Sequence, residues 1–152
     1  MRVSAKSDYA LRALIELANC GGGAPLSAEE IGRRQDIPHG FLQSILADLR
    51  RAEVVSSVRG QNGGWRLGRA ASEVTVADVI RAVDGPLVSV YGLRPEAVTY
   101  NESAMVLQLV WVATRANLRE VFEQVTVEML VDGALPPAVL KLTKDEDAWR
   151  SH

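Results

Sequence analysis

Few side chains of this chain could take part in covalent chemistry. Its 152 residues include 2 histidines and 1 cysteine. No histidine stands at a spacing from serine and an acid, or from other ligands, that predicts a catalytic triad or a metal site. A single cysteine excludes an intrachain disulfide and any zinc site built from several thiolates of one chain. The sequence therefore predicts a protein that is not an enzyme and that holds no metal or cofactor.

Recognition chemistry is better represented, on one segment that follows Pro38. Its apolar residues recur at i, i+3, i+4 and i+7, which predicts a helix that packs by one stripe: Leu42, Ile45, Leu46 and Leu49. The opposite face is polar and sterically light: His39, Gly40, Gln43, Ser44, Ala47 and Arg51. Such a face could approach the edges of nucleic-acid bases, although a polar helix face alone is most often a solvated surface.

The elements around this helix strengthen the nucleic-acid interpretation. Ser27-Ala-Glu-Glu30 has the spacing of a capping box and predicts a short helix that runs to about Arg34. Gln35-Asp-Ile-Pro38 breaks that helix, and Pro38 can open the next one. Two β-prone runs, Val54–Val58 and Gly64–Leu67, then flank the glycine-rich turn Arg59–Gly63. The order predicts a mainly α fold with a small β-hairpin wing, a winged helix-turn-helix.

Candidate DNA contacts follow from this arrangement. A guanidinium on a narrow, glycine-flanked turn such as Arg59 can enter a minor groove. Gln43 could bridge an adenine edge, and Ser44 could bind a base or a phosphate. His39 at the helix N-terminus could meet a phosphate or a base as a neutral ring.

The remaining candidates have two interpretations each. Phe41 either contacts a thymine methyl or packs against the protein. Arg50 and Arg51 end the helix, where they are phosphate clamps or partners of the helix dipole. Gly40 belongs to the same face and adds no side-chain bulk.

Charge is distributed unevenly along the chain, whose net charge is −2. Residues 1–70 carry 10 Lys and Arg against 7 Asp and Glu, a net charge of +3, and residues 71–152 carry 7 against 12, a net charge of −5. The positive half is the one that would face the phosphate backbone. A net charge of only +3 on residues 1–70 of each subunit indicates an affinity that depends on two subunits and a moderate salt dependence.

A long apolar segment from about Glu102 to Val125 predicts a dimerisation helix. Its stretch Ala104–Ala113 is apolar nearly all round, so one side could pack on its own domain while the other needs a partner. A second copy of the same helix is the simplest partner for a chain of this length. The predicted interface residues are Val106, Leu109, Val110, Trp111 and Ala113.

Other boundaries are set by caps and breakers. A first helix is expected from Ser4 or Ser7 to Asn19, a fourth after Thr75, and a short capped one after Thr126. We divide the chain into a winged domain (1–85), a loop with the long helix and the short helix after it (86–132), and a polar, loosely held tail (133–152). No apolar run reaches the ~18 residues of a membrane span, and no signal-peptide pattern is present, which favours the cytoplasm and no membrane contact.

The motifs together resemble the Rrf-two family of bacterial transcription regulators. They are the opening MRVSAKSDYALRAL, the turn QDIP, the pairs Phe41-Leu and Leu49-Arg, VVSSVRG ending at Gly60, GGWRLG ending at Gly68, and VIRAVDG ending at Gly85. The resemblance covers about residues 1–132. It implies a dimeric winged-helix regulator, most often a repressor, whose long helices cross in the dimer. It also implies that the second helix of the motif enters the major groove and that Arg59 reaches the minor groove.

The chain departs from the cluster-binding members of that family, which carry three closely spaced cysteines before the long helix. The equivalent stretch, Pro86–Asn101, contains none, and Tyr91, Tyr100 and Glu102 are poor substitutes for thiolates on iron. The only cysteine, Cys20, ends the first helix. The sequence therefore predicts a regulator without an iron–sulfur cluster.

The expected function is a homodimeric repressor that binds a pseudo-palindromic double-stranded DNA operator. Its signal stays open: a small molecule between the winged domain and the long helix, a partner protein docking there, or oxidation of Cys20 as a thiol-based redox sensor. The alternative is a winged-helix module that binds proteins and never touches DNA.

Overall fold

The computed structural model describes residues 3–150, so the first two residues of the opening motif and the last two of the tail lie outside it. The principal elements are α1 (Ala5–Asn19), α2 (Ala28–Gln35), α3 (His39–Arg51), β1 (Val55–Val58), β2 (Gly64–Leu67), α4 (Val76–Asp84), α5 (Val106–Phe122), α6 (Val127–Asp132) and α7 (Pro137–Leu142). Short 3₁₀ turns occupy Gly21–Gly23, Ala71–Glu73, Pro95–Ala97, Glu102–Ala104 and Glu146–Trp149. The predicted fold class, mainly helical with one hairpin, is confirmed.

Side-chain caps fix where the helices begin. The hydroxyl of Ser4 accepts a hydrogen bond from the amide of Ser7 at 2.9 Å, and that of Ser27 accepts from the amide of Glu30 at 3.1 Å. The capping box predicted at Ser27 is only half formed, because the carboxylate of Glu30 accepts from Arg33 and Arg34 instead. The full box forms at α4, where Thr75 and Asp78 exchange both bonds at 3.1 Å.

The helix-turn-helix is built on the apolar stripe that the sequence predicts. Leu42, Ile45, Leu46 and Leu49 are fully buried against α1 and α2. The turn between α2 and α3 closes at Asp36, which adopts a left-handed conformation with φ of 54°. The amide of Ile37 then donates to the carbonyl of Gly32 at 3.0 Å, and Pro38 directs the chain into α3. This packing holds α3 in one orientation and leaves its other face outward.

The wing is an antiparallel pair in which Val55 faces Leu67 and Val58 faces Gly64. A third segment joins its edge, because Leu26 and Trp65 exchange backbone hydrogen bonds of 2.9 and 2.7 Å. A Cβ on Gly64 would lie 2.3 Å from the carbonyl oxygen of Leu26, so only glycine allows this approach. The wing is therefore attached to the segment that leads into α2.

The chain returns to the winged domain after α5. Val125 and Val127 are buried, and backbone bonds of 2.9 Å link Val76 to Val125 and Val127 to Val74. Val127 belongs to the same core cluster as α1 and α3. The segment 86–132 is thus not independent of residues 1–85, since its last helix completes their core.

The long helix is shorter than predicted and has an exposed apolar side. It begins at Val106 after the 3₁₀ turn Glu102–Ala104, ends at Phe122, and contains no fully buried residue. The tail contains α7 and a 3₁₀ turn that the sequence did not predict, and most of its side chains are exposed. Within residues 3–150, none of the helices combines the length and the apolar character needed to span a bilayer.

Candidate nucleic-acid interface

The polar face of α3 is open to solvent. His39, Gly40, Gln43 and Ser44 are all exposed. The side chains of Gln43 and Ser44 make no hydrogen bond to any residue that the structure describes. Their donors and acceptors are free to bind an external partner, as base recognition requires.

The N-terminal end of α3 is also accessible. Pro38 stands at the N-cap position and offers no side-chain acceptor to the first amides of the helix. A Cβ on Gly40 would meet nothing within 4 Å, so the packing of this chain does not itself require glycine there. Exposed amides at a helix N-terminus favour a phosphate, and a glycine lets a surface approach closely.

Phe41 combines the two roles that the sequence left open. Its ring makes an edge contact with Tyr9, with centroids 6.0 Å apart, and Arg12 lies over the other ring of that pair, 5.0 Å from the centroid of Tyr9. Phe41 is nevertheless 52% exposed. The stack with α1 therefore orients Phe41 while leaving much of its ring available for contact with a ligand.

The arginines at the end of α3 have partners within the protein. The guanidinium of Arg50 lies 6.0 Å from the centroid of Trp65, which connects α3 to the wing. Arg51 pairs with Asp48, and Asp48 also pairs with Lys6 of α1. Both arginines are exposed, and we expect them to contact phosphate more weakly than an unpaired cation would.

Arg59 is the exposed cation of the wing turn. It directly follows β1, and the turn closes with a 3.0 Å hydrogen bond from the amide of Gly63 to the carbonyl of Gly60. A Cβ on Gly63 would lie 2.2 Å from the carbonyl oxygen of Val58, so the tight turn needs glycine there. Within residues 3–150, Arg59 has no ion pair or side-chain hydrogen bond. It is available to an external phosphate or groove.

Two further arginines of the wing were not predicted as contacts. Arg66 lies on β2 and donates to the hydroxyl of Ser56 at 3.3 Å, and Arg69 lies 3.9 Å from the carboxylate of Asp78. Both are exposed. The period-two alternation of β2, which places Arg66 on the side opposite Trp65, was the sequence signal that could have identified it.

The cations of α2 contribute less free charge than their number suggests. Glu30 accepts hydrogen bonds from Arg33 and Arg34, which lower its pKa from 4.5 to about 2. Arg34 also lies 3.3 Å from the carboxylate of Glu16. The field of the candidate interface therefore comes mainly from α3 and the wing.

Four of the five predicted dimer residues share one exposed stripe. Val106, Leu109, Val110 and Ala113 follow the i, i+3, i+4, i+7 spacing on α5, with Val106 and Leu109 68% and 67% exposed. Trp111 lies outside the stripe. It is half-buried, and its indole nitrogen donates to the hydroxyl of Tyr100 at 3.1 Å. A continuous row of four exposed apolar residues on one helix is typical of an interaction surface.

A helix-turn-helix joined to a two-stranded wing, with an open helix face and an arginine at the wing turn, defines a winged helix-turn-helix protein. The chain belongs to the Rrf2 family. The family model, described as an iron-dependent transcriptional regulator, matches residues 3–133.

Relatives and solved structures agree with this assignment. The chain is 40% identical over 151 residues to an HTH-type transcriptional regulator of Mycobacterium tuberculosis strain H37Rv, covering 99% of this chain and 94% of the relative. Among solved structures it is similar to CymR, the global cysteine regulator of Bacillus subtilis, with a TM-score of 0.73, 30% identity and coverage of 88% and 98%. It is also similar to IscR of T. potens, with a TM-score of 0.67, 28% identity and coverage of 100% and 93%. The chain is thus a DNA-binding transcriptional regulator, not an enzyme.

The family's description implies iron, which the donor atoms of the described residues do not fit. Within residues 3–150, no three His, Cys, Asp or Glu side chains are grouped as metal ligands would be. Cys20 stands at the C-cap of α1 and lines a surface cavity beside Gly21–Gly23, Ser56 and Arg66. One thiolate per chain does not supply the ligands of an iron–sulfur cluster.

Proposed function

We propose that this regulator is a homodimeric, cytoplasmic repressor that binds a pseudo-palindromic operator and carries no iron–sulfur cluster. The observation that supports it most is the pairing of an open α3 face with the unpaired Arg59 of the wing. Both surfaces carry polar groups with no partner among the described residues, and both belong to elements fixed by one core. If these surfaces were merely solvated, there would be no reason for an open α3 face and an unpaired wing arginine to occur in the same protein.

In this proposal α3 enters the major groove and the wing lies beside it. Gln43 and Ser44 read base edges, Phe41 meets a thymine methyl, and His39 and Gly40 allow the helix N-terminus to approach the backbone. Arg59 enters the adjacent minor groove, where a narrow groove has an enhanced negative potential. Arg50 and Arg51 bind phosphates and set the register of the complex without reading sequence.

The dimer provides the second half-site. Pairing the stripe of Val106, Leu109, Val110 and Ala113 with its copy removes from water the large apolar side chains that α5 leaves exposed. A twofold axis then places two α3 helices on the same side of the duplex, and their spacing fixes the spacing of the half-sites. The dimer combines two DNA-facing surfaces, each within residues 1–70 of net charge +3, which favours a tighter complex than either subunit alone could form.

The test is selection of bound genomic fragments with the purified full chain, followed by mobility-shift titration of the enriched duplex. We expect a twofold-symmetric site, and an affinity loss of about 1–3 kcal/mol for Arg59→Ala. Lys141→Ala, which removes an exposed cation of α7, is the matched control and should leave the affinity unchanged. If no duplex outcompetes random DNA, the alternative function, a winged-helix module that binds other proteins, explains the chain better. If Arg59→Ala binds as the parent does, the wing has no role in the complex.

The absence of a cluster is tested separately. Anaerobic purification should give a colourless protein, and iron and acid-labile sulfide should each be far below one atom per chain. A brown protein with charge-transfer absorption and stoichiometric sulfide would contradict this part of the proposal.

A further inference from the structure

A second polar site lies away from the DNA-facing surface. A cavity of about 520 Å³ opens between the end of α4, the loop that follows it and α5. Four arginines are among the residues that line it: Arg81, Arg94, Arg115 and Arg119. The remaining lining comes from Glu96 and from residues 85–87 of the loop.

The concentration of cations in this cavity is unexpected for this part of the chain. Residues 71–152 carry a net charge of −5 and contain only 7 Lys and Arg, of which 4 line this one cavity. Guanidiniums repel one another, so their convergence costs free energy unless negative charge offsets it. The chain brings them together from α4, the loop after it and the second half of α5.

The acidic residues of the chain neutralise only part of this charge. Oε1 of Glu123 accepts from Nη2 of Arg81 at 2.5 Å and from Nε of Arg119 at 3.0 Å, so two guanidiniums converge on one oxygen. Oε2 of Glu96 accepts from Nη1 of Arg115 at 2.7 Å. The hydrogen bonds from Arg119 and Arg81 lower the pKa of Glu123, and a hydrogen bond from its own backbone amide, together with the bond from Arg115, lowers the pKa of Glu96.

Two positive charges remain after this pairing, since two carboxylates face four guanidiniums. Arg94 is the clearest case, because within the described residues it makes no hydrogen bond or close ion pair, and its interaction with the charge of Glu96 is a longer-range one. It stands at the start of the 3₁₀ turn Pro95–Ala97 and is exposed. A guanidinium without a hydrogen-bonded carboxylate, beside three that share two carboxylates, forms a preorganised anion site.

We propose that this cavity binds a small dianion, a phosphate ester or a dicarboxylate, as the effector of the regulator. The planar fork of arginine matches the oxygens of both groups, and the residual charge of +2 matches a dianion. A cavity of about 520 Å³ lies within the usual range for small-molecule sites and exceeds what inorganic phosphate alone would fill. The effector role rests on the proposed DNA-binding function, whereas anion binding does not.

The position of the cavity gives the anion a route to the DNA-binding surface. Arg81 belongs to α4, which packs against α3, and Arg115 and Arg119 belong to α5, which carries the proposed dimer stripe. An anion that draws these guanidiniums together would change how α4 and α5 meet. The orientation of α3 relative to the twofold axis would change with it.

Anion binding is measured first, on the full chain without DNA, by calorimetry and thermal unfolding at constant ionic strength. The probes are inorganic phosphate and succinate, with chloride as the monoanion control. We expect saturable binding of at least one dianion and a rise in melting temperature. Arg94→Gln and Arg115→Gln should weaken that binding about tenfold or more, and Lys141→Gln should not. Binding of phosphate but not succinate identifies a phosphate site, and binding of succinate but not phosphate identifies a dicarboxylate site.

The outcomes separate the two proposals. No saturable binding, or equal weakening by Lys141→Gln and Arg94→Gln, overturns the anion site whatever the protein does with DNA. Repeating the mobility shift with saturating anion then tests regulation, and we expect at least a threefold change in operator affinity that Arg94→Gln abolishes. Saturable binding with unchanged operator affinity would overturn the effector role alone. A failure of operator binding itself is seen in the arm without anion.

Discussion

Replacing Gly40 by alanine should make the free protein more stable and the DNA complex weaker. Gly40 is the second residue of α3, and a Cβ there would meet nothing within 4 Å. Alanine is favoured over glycine in a helix by about 0.5–1 kcal/mol. We expect the lower end, about 0.5 kcal/mol, because the position lies in the first turn. For a domain of this size that is a rise of about 1–2 °C in melting temperature.

The effect on DNA affinity has the opposite sign. In the proposed complex Gly40 lies where α3 approaches the duplex most closely, between His39 and Phe41. A methyl group forced into a surface packed to protein density costs about 1–3 kcal/mol, which is a loss of roughly fivefold to 150-fold in affinity. At this position the substitution should raise the stability of the free protein and lower its affinity for DNA. Opposite effects of this kind are expected where a residue contacts a binding partner and not the protein's own core.

The assay pairs thermal unfolding of the free protein with a mobility-shift titration of the selected operator. Gly21→Ala is the matched control, since its Cβ also meets nothing within 4 Å but lies in the 3₁₀ turn after α1. Equal operator affinity for Gly40→Ala and its parent would refute the placement of the α3 N-terminus against DNA. A fall in melting temperature would instead show that the space around Gly40 is occupied.

Three further predictions concern the dimer, the core and the acid stability. Leu109→Glu should raise the dissociation constant of the dimer at least about 100-fold, because it removes about 1.5–3 kcal/mol of apolar burial from each subunit. Sedimentation equilibrium measures this constant, and the control Gln124→Glu, at an exposed position outside the stripe, should leave it unchanged. Val127→Ala should lower the free energy of unfolding by about 2–3 kcal/mol in urea, since Val127 is fully buried; a loss below about 0.5 kcal/mol would contradict the return of α6 to the core. The pKa of Glu30 is lowered to about 2, so its contribution to stability is complete above its ordinary value of 4.5 and is lost as pH falls through 2. The difference in stability between the parent and Glu30→Gln should therefore be constant above pH 5 and shrink toward pH 2, and a pH-independent difference would contradict the ion pairs of α2.

The features that sequence predicted well are local ones. The hydroxyls of Ser27, Thr75 and Thr126 each accept a hydrogen bond from the amide three residues on, so the start of each helix depends on four consecutive residues. The buried stripe of α3 is equally local, because the periodicity of one helix fixes which side is apolar. The apolar stripe of α5 was predicted from the same periodicity, but unlike the stripe of α3 it is exposed in the described chain.

The features that sequence missed depend on contacts between distant elements. The pairing of Glu30 with Arg33 and Arg34 is the exception, because the i, i+3 and i, i+4 spacing within α2 was a local signal for it. The contact of Arg50 with Trp65 requires the wing to fold back on α3. The arginine-lined cavity is formed by four residues that are far apart in the chain, Arg81, Arg94, Arg115 and Arg119. In the sequence alone, each of them is indistinguishable from an ordinary surface cation. Such sites appear only when the tertiary contacts are known.

The rigidity of α5 connects the DNA-facing surface to the proposed anion site. None of its residues is fully buried, yet both of its ends are held. Near the start, the side-chain Nε2 of Gln108 donates to the backbone carbonyls of Pro95 and Val98 at 3.2 Å. Just after the end of α5, Val125 and Val127 are buried in the winged domain. Because its backbone hydrogen bonds keep a helix nearly straight, a displacement at one anchor is carried along the whole helix. A ligand at Arg94 and Arg115, close to the first of these anchors, could therefore shift the dimer stripe without disturbing the core, and with it the distance between two α3 helices.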